Sequence, residues 1–505
     1  MTASLHPERL AGVERLSDRL TADYLEHHGL LPLEVRDGRA VVATWLDAPD
    51  PQATDDLRLL LGAPLEILRL PEAELRPAIR RTYGEDATAE SLIAGLGAPA
   101  TVAGPGEIPL DDLVALANEA PVVRLVNLLL LEALEARASD VHLEGYAEAF
   151  RVRYRVDGVL QEAPSPPREL AAAIVSRLKI MADLDIAERR VPQDGRIRLR
   201  LQDRQVDVRV STVPTLHGES IVLRLLDKER GHIGLPDLGM GAETLARFVE
   251  AISRPHGIVL ATGPTGSGKT TTLYAAVDHV RTGREKILTV EDPVEYELHG
   301  VPQIPVHEKV GLTFAAALRA LLRQDPDVLL VGEIRDAETA EIATHAALTG
   351  HLVLSTLHTN DAPSALTRLL DLGVAPYLVA GTVEAVLAQR LVRKICEQCR
   401  RTVPVEPGVA EAFGVAPAAL DAAPRGEGCD ACRGTGFRGR TGVYELLVLD
   451  ESLRTELRLR HGAADIRRLA LQGGMATLRD DGLRLVRAGV TTPDEVLRVT
   501  RGEVA

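Results

Sequence analysis

Three groups of residues in this chain have types and spacings suited to chemistry. The first is GPTGSGKT, Gly263 to Thr270, which fits G-x-x-x-x-G-K-[ST]. Glycine has no Cβ, so the stretch Gly263, Pro264, Thr265, Gly266, Ser267, Gly268 can curl closely around a phosphate chain. Its N–H groups and the N-terminus of a following helix then point at the anion. Lys269 is placed to reach the β- and γ-phosphates of a bound phosphate chain, and Thr270 to offer its hydroxyl to Mg²⁺. Thr271 follows on the first helical turn. Such a motif requires a strand before it and a helix after it. HGIVLAT supplies a buried strand over 258–261, and Thr270 to Val280 reads as a helix.

The second group is polar residues at the ends of apolar runs. DVLLVGEI ends in Glu333, and KILTVED ends in Glu291 and Asp292 with Glu295 close behind. HLVLSTLHT carries His351 and His358 at its two ends. Ligands gather at the carboxyl ends of parallel strands. An acid there can hold Mg²⁺ or orient the attacking water. The third group is Cys396-x-x-Cys399 and Cys429-x-x-Cys432, separated by 29 residues. Four thiols so paired suit a tetrahedral Zn²⁺ site with no open position, and hence a structural role. Four free buried thiols are the alternative. Arg209, Arg224, Arg319 and Arg323 carry no signal from spacing alone and read as solvated arginines.

The elements that must position these groups follow from patterning. Apolar strands alternate with helical stretches from HGIVLAT to HLVLSTLHT, which argues for a parallel sheet covered by helices on both faces. Gly350 closes one of those helices. Earlier in the chain, LPLEVRDGRAVVATW and FRVRYRVDGVLQE read as hairpins turning at Asp-Gly, and Trp45 reads as core. GRIRLRLQDRQVDVRVS alternates strictly between apolar residues and arginines. Helices are expected over 52–61, 72–83, 121–137 and 167–182, and GLGAPATVAGPGEIP reads as a linker. The expected organisation is residues 1–84, a linker at 85–112, a second α+β domain at 113–230, and 231–505 containing a cysteine subdomain at 394–440.

The chain has 505 residues, so several cores are expected. A net charge of −15 argues against a broad nucleic-acid footprint. No apolar run approaches the roughly 18 residues of a membrane span, and MTASLHPERL does not resemble a secretory signal. These features point to a cytoplasmic protein.

Taken together, GPTGSGKT, ILTVEDPVEY, LLVGEIRDAETA and THAALTGHLVLSTLHTN resemble the four nucleotide-site boxes of the secretion ATPase family, the type II secretion ATPases and type IV pilus assembly motors. SDVHLE, RYRVDG and RRVPQDGRI extend the resemblance into the second domain. It implies an α/β multidomain chain: a RecA-like phosphate-loop ATPase domain with a parallel sheet, preceded by α+β domains and carrying a small zinc-binding insert. It also implies a homohexamer in which Arg209 and Arg224 contact the phosphates as arginine fingers, and Arg319 and Arg323 lie near the subunit boundary. Glu291 and Glu333 would share water activation and Mg²⁺ contact, with the general base open between them, and His358 would sense the γ-phosphate. Residues 1–84 would dock on the cytoplasmic part of an inner-membrane secretion assembly protein, attaching the chain peripherally to the inner membrane beside a platform protein. The tetracysteine insert tilts the implied task toward extrusion, either pseudopilus extension for protein export or pilus assembly. A RecA-like nucleic-acid translocase and a nucleotide-binding scaffold without turnover are the competing readings.

Overall fold

The computed structural model describes residues 16, 17, 20, 22–36, 38–82, 89–95, 116–118, 120–201, 204–227, 233–416, 418, 420–459 and 462–501. In its largest sheet the apolar runs become strands buried along their whole length: Gly257–Thr262, Ile287–Glu291, Val328–Val331 and Leu352–Leu357. A strand sends successive side chains to opposite faces. Ile258 and Leu260, Leu288 and Val290, Leu329 and Val331 enter one core with the helices Phe314–Leu321, Ala337–Leu348 and Ala362–Asp371. Val259 and Ala261, Val328 and Leu330, Leu352 and Leu354 enter the other, with Ala242–Ile252 and Lys269–Val280. Two cores sandwich one sheet, as the uninterrupted apolar runs require.

The sheet has seven strands in the order Gln303–Pro305, Ile287–Glu291, Val328–Val331, Leu352–Leu357, Gly257–Thr262, Val383–Ile395, Phe437–Val448. All neighbours are parallel except the last pair, which is antiparallel. Three of these strands had no sequence expectation. VEAVLAQRLVRKI carries residues with good helical propensity, yet it is a strand of 13 residues. Burial between the phosphate-loop strand and the final strand overrides its local preference.

Ahead of this region, six antiparallel strands run in the order Val159–Glu162, Phe150–Val156, Ala138–Gly145, Gly218–Asp227, Arg204–Thr215, Gln193–Leu201. The helices Ala120–Glu135 and Ala171–Met181 supply much of the rest of their core. The Asp157-Gly158 turn has both φ values positive, 49° and 85°, as a tight hairpin turn demands. Asp157 also reaches forward, accepting the Gly439 N–H at 2.7 Å and standing 3.6 Å from Arg440 Nε. Nearer the N-terminus, Leu30–Arg36, Arg39–Thr44 and Leu65–Arg69 form a small sheet with the helices Pro51–Leu61 and Glu72–Thr82. Trp45 is only partly buried there, with Arg76 above its ring at 5.3 Å.

The range 85–112, expected as a linker, needs correction. It contains the helix Ala89–Gly95, whose Leu92 and Ile93 pack on the second domain's core. The Ala89 N–H is bonded to Glu132 Oε1 at 2.6 Å. ESLIAG has an apolar face that Gly, Ala and Pro around it conceal in composition. Residues 96–115 lie outside the described residues.

Candidate active site

The phosphate loop leaves strand Gly257–Thr262 at its carboxyl end and enters helix Lys269–Val280. Gly263, Gly266 and Gly268 take φ values of 147°, 78° and 91°. Residues with a Cβ rarely adopt such values, so the loop's path depends on glycine. Lys269 is 8% exposed, and its Nζ donates to Gly263 O at 2.8 Å and Pro264 O at 3.1 Å. The ammonium is thus folded back onto the loop it would share with a phosphate. Burial pulls its pKa down from 10.5 to about 8, the Glu333 charge opposing and Arg390 assisting. Ser267 Oγ is buried with no hydrogen-bond partner among the described residues. A positively charged cradle with left-handed glycines and an unsatisfied hydroxyl fits a polyphosphate. Thr270 and Thr271 are half-buried on the first turn beside it.

The strand-end residues arrive at this same edge in different states. Strand Val328–Val331 stops two residues short of Glu333, so that side chain sits on the loop rather than at the strand tip. Glu333 is 9% exposed and bonded to Arg335 Nε at 2.5 Å and His358 Nε2 at 3.2 Å. Glu291 is 3% exposed and filled by donors: the Tyr274 hydroxyl, Thr289 Oγ1 at 2.6 Å and Gln303 Nε2 at 3.0 Å. The two glutamates therefore differ in what remains free for a reacting water. His351 is at the opposite end of its strand, where Nδ1 lies 2.8 Å from Ala346 O. It is a helix-end partner rather than part of the site.

The arginines implied by resemblance are paired. Arg209 Nη2 donates to Val294 O and Glu295 Oε2, each at 3.4 Å, linking the second domain to the loop after Glu291. Arg224 Nε is 2.9 Å from Asp140 Oδ1 within its own sheet. Arg319 pairs with Glu338 at 2.6 Å, and Arg323 donates to Arg319 O at 2.9 Å. Sequence reading missed Arg335, Tyr274, Gln303, Gln389 and Arg390. Glu333's neighbour Arg335 was visible in the run GEIRD. The others had no motif to mark them.

The cysteines converge. Cys396 and Cys429 Sγ are 3.8 Å apart, Cys399 and Cys432 3.8 Å, Cys429 and Cys432 3.7 Å. Those distances are far beyond a disulfide. They match the edge of a tetrahedron with Zn–S near 2.3 Å, about 3.8 Å. N–H groups of Cys429 and Gly436 donate to Cys432 Sγ at 3.1 and 3.2 Å, and Gly428 N–H to Cys399 Sγ at 3.3 Å. Donors of this kind favour thiolates and orient metal ligands. The strands Arg400–Pro404 and Ala422–Gly426 pair between the two cysteine pairs. The four-cysteine insert thus has the ligand set and spacing of a structural zinc site.

A parallel sheet with a phosphate loop at its carboxyl edge and acids on the adjacent loops defines a phosphate-loop nucleotide-binding protein. The chain belongs to the Type II/IV secretion system protein family, which matches residues 115–498, and residues 4–89 match the MshEN domain. It is 47% identical to the type II secretion system protein E of Pseudomonas aeruginosa over 96% of this chain and 97% of that one. It is 45% identical to the type IV pilus assembly ATPase PilB of Myxococcus xanthus over 94% of this chain and 84% of that one. Among solved structures, the pilus retraction motor PilT with bound ADP is 26% identical, with a TM-score of 0.50, covering 74% of this chain and 96% of PilT. The Legionella pneumophila ATPase DotB shares the fold at 22% identity and a TM-score of 0.56, covering 75% of this chain and 96% of DotB.

Proposed function

We propose that this chain is a cytoplasmic, hexameric ATPase that powers pseudopilus extension, and so protein export, in a type II secretion system. One observation carries the choice of system: near end-to-end similarity to a type II secretion system protein E, 97% of whose length is matched. The match to PilB leaves more of that protein uncovered, and pilus assembly is the second reading.

ATP is the substrate, and Mg²⁺ held with help from Thr270 would neutralise charge on its phosphates. Lys269 gives up its two loop carbonyls to bind phosphate oxygens, regaining the partners that burial denies it. Glu333 is the better candidate to take the proton of the attacking water, because Glu291 is already filled by three donors. Arg335 and His358 orient Glu333, and His358 would sense the γ-phosphate through that contact. Glu291 acts by holding Tyr274 and Gln303 behind the loop. Arg209 and Arg224 become phosphate ligands on closure of the second domain or of a neighbouring subunit. Their present pairs are partly exposed, so exchanging each costs on the order of 1 kcal/mol or less. A finger so delivered is worth about 10³ to 10⁵ in rate in related phosphate-loop enzymes.

The N-terminal domain would dock on an inner-membrane assembly protein, which attaches the chain without a spanning helix. None of the described helices is long and apolar enough to cross a membrane. Zinc on Cys396, Cys399, Cys429 and Cys432 would be structural. The test is genetic: delete the chain in its source cell and complement with wild type or Glu333→Gln. The expected result is export lost in the deletion and restored only by wild type, with surface pili unaffected. Loss of pili with export intact would transfer the chain to pilus assembly.

A further inference from the structure

The strand Val383–Ile395 runs beside the phosphate-loop strand, and its register pairs Ala388 with Thr262. Gln389 and Arg390 therefore stand next to Gly263, where the loop begins. Gln389 is 1% exposed. Its Nε2 donates to Ser267 O at 2.8 Å, while its Oε1 is buried with no partner among the described residues. Two of the loop's glycines lie close against this residue. A Cβ on Gly263 would come 2.6 Å from Gln389 O, and one on Gly268 3.2 Å from Gln389 Nε2.

Because a trans peptide is planar, its C=O and N–H point in opposite directions. Holding Ser267 O against the neighbouring strand aims the Gly268 N–H away from that strand, into the loop. Arg390 extends the same support to the adjoining loop. Its Nη1 donates to Gln389 O at 3.0 Å and its Nη2 to Asn360 O at 2.7 Å, two residues beyond His358. Thr359 N–H in turn donates to Thr262 Oγ1 at 2.9 Å.

We propose that Gln389 is a positioning residue for nucleotide binding: it fixes the Ser267–Gly268 peptide so that its N–H faces the bound phosphate, and Arg390 couples that support to the loop bearing His358. The inference rests on the reading of the loop as an ATP site. A side chain with no donor in reach leaves Ser267 O free to turn inward, where it would repel phosphate. The Nε2 contact to Ser267 O is the hydrogen bond that the described residues give this side chain.

The experiment measures ADP affinity, steady-state ATPase kinetics and thermal stability of the full chain carrying Gln389→Met, with Gln389→Asn as a second variant. Methionine keeps length and removes the donor; asparagine keeps the amide but falls short of Ser267. Both are expected to weaken ADP binding and raise KM about tenfold, the loss of one well-placed hydrogen bond, with kcat at saturation changed less than about twofold. Gln389→Met should not melt lower than wild type, because it also removes an unpaired buried acceptor. Unchanged ADP affinity and KM in either folded variant would overturn the inference, as would a fall confined to stability. A wild-type chain that binds no ADP would refute the ATPase reading itself, and this inference with it.

Discussion

Lys269→Met should make the nucleotide-free protein more stable while abolishing nucleotide binding. Lys269 is 8% exposed, and burial holds its pKa near 8 instead of 10.5. A displacement of that size corresponds to about 3 kcal/mol spent keeping the ammonium charged at neutral pH. Methionine removes this cost and keeps an apolar stem. It also loses the bonds to Gly263 O and Pro264 O, at about 1 kcal/mol each. The net expectation is a gain of about 1 kcal/mol at pH 7. The sign with pH is determined by which state holds the proton. Above about 8 the folded lysine is neutral, while the unfolded one stays charged up to about 10.5. The wild type therefore gains stability from this group as pH rises across that interval. The variant's advantage should shrink as pH rises above 8, vanish within about one pH unit and reverse toward the upper end of the interval. Scanning calorimetry of both proteins from pH 7 to 10, following the transition of the nucleotide-binding domain, measures it. ADP binding by wild type should weaken above pH 8 and take up protons near it. A variant less stable than wild type at pH 7, or an advantage that does not change with pH, would refute the reasoning.

Cys432→Ser should abolish stoichiometric zinc binding and expose the 400–428 segment to protease, because a structural zinc supplies on the order of 10 kcal/mol of folding energy; one bound zinc per chain with unchanged protease resistance would contradict the metal assignment. Glu495→Gln should loosen the C-terminal helix. Burial pushes the Glu495 carboxyl up, but the Arg498 and Arg393 guanidiniums more than reverse it, holding it at about 2. That stability is present above the ordinary carboxylate pKa of 4.5 and is lost as pH falls through the interval down to about 2. Hydrogen exchange of Pro493–Val499 at pH 6 should accelerate in the variant, and equal rates would dismiss the pairing as a stabiliser.

Much of the central sheet was legible because parallel strands buried on both faces must be mainly apolar, and GIVLAT, ILTVE, VLLV and LVLSTL are, with their few polar residues bonded inside the fold. The phosphate loop was legible because its glycines answer local backbone needs. The strand Val383–Ile395 was not, since its local propensity points to a helix and only its neighbours make it a strand. Gln389 and Arg390 were hidden with it. Their significance lies in a register with Thr262 that no local spacing reveals. The different circumstances of Glu291 and Glu333 were equally out of reach. Both end apolar runs, and only the packing of Tyr274 and Gln303 against one of them separates their roles. Arg209 and Arg224 acquired meaning only through resemblance, and their present partners, Glu295 and Asp140, are carboxylates rather than a phosphate.

The most direct test is inorganic phosphate release from MgATP by the purified full chain, assembled with the membrane protein it captures, compared with Glu333→Gln. The account predicts sustained release by wild type, none above background by the variant, and ATP binding by both. Release at the wild-type rate by Glu333→Gln, or none by the assembled wild type, would contradict it.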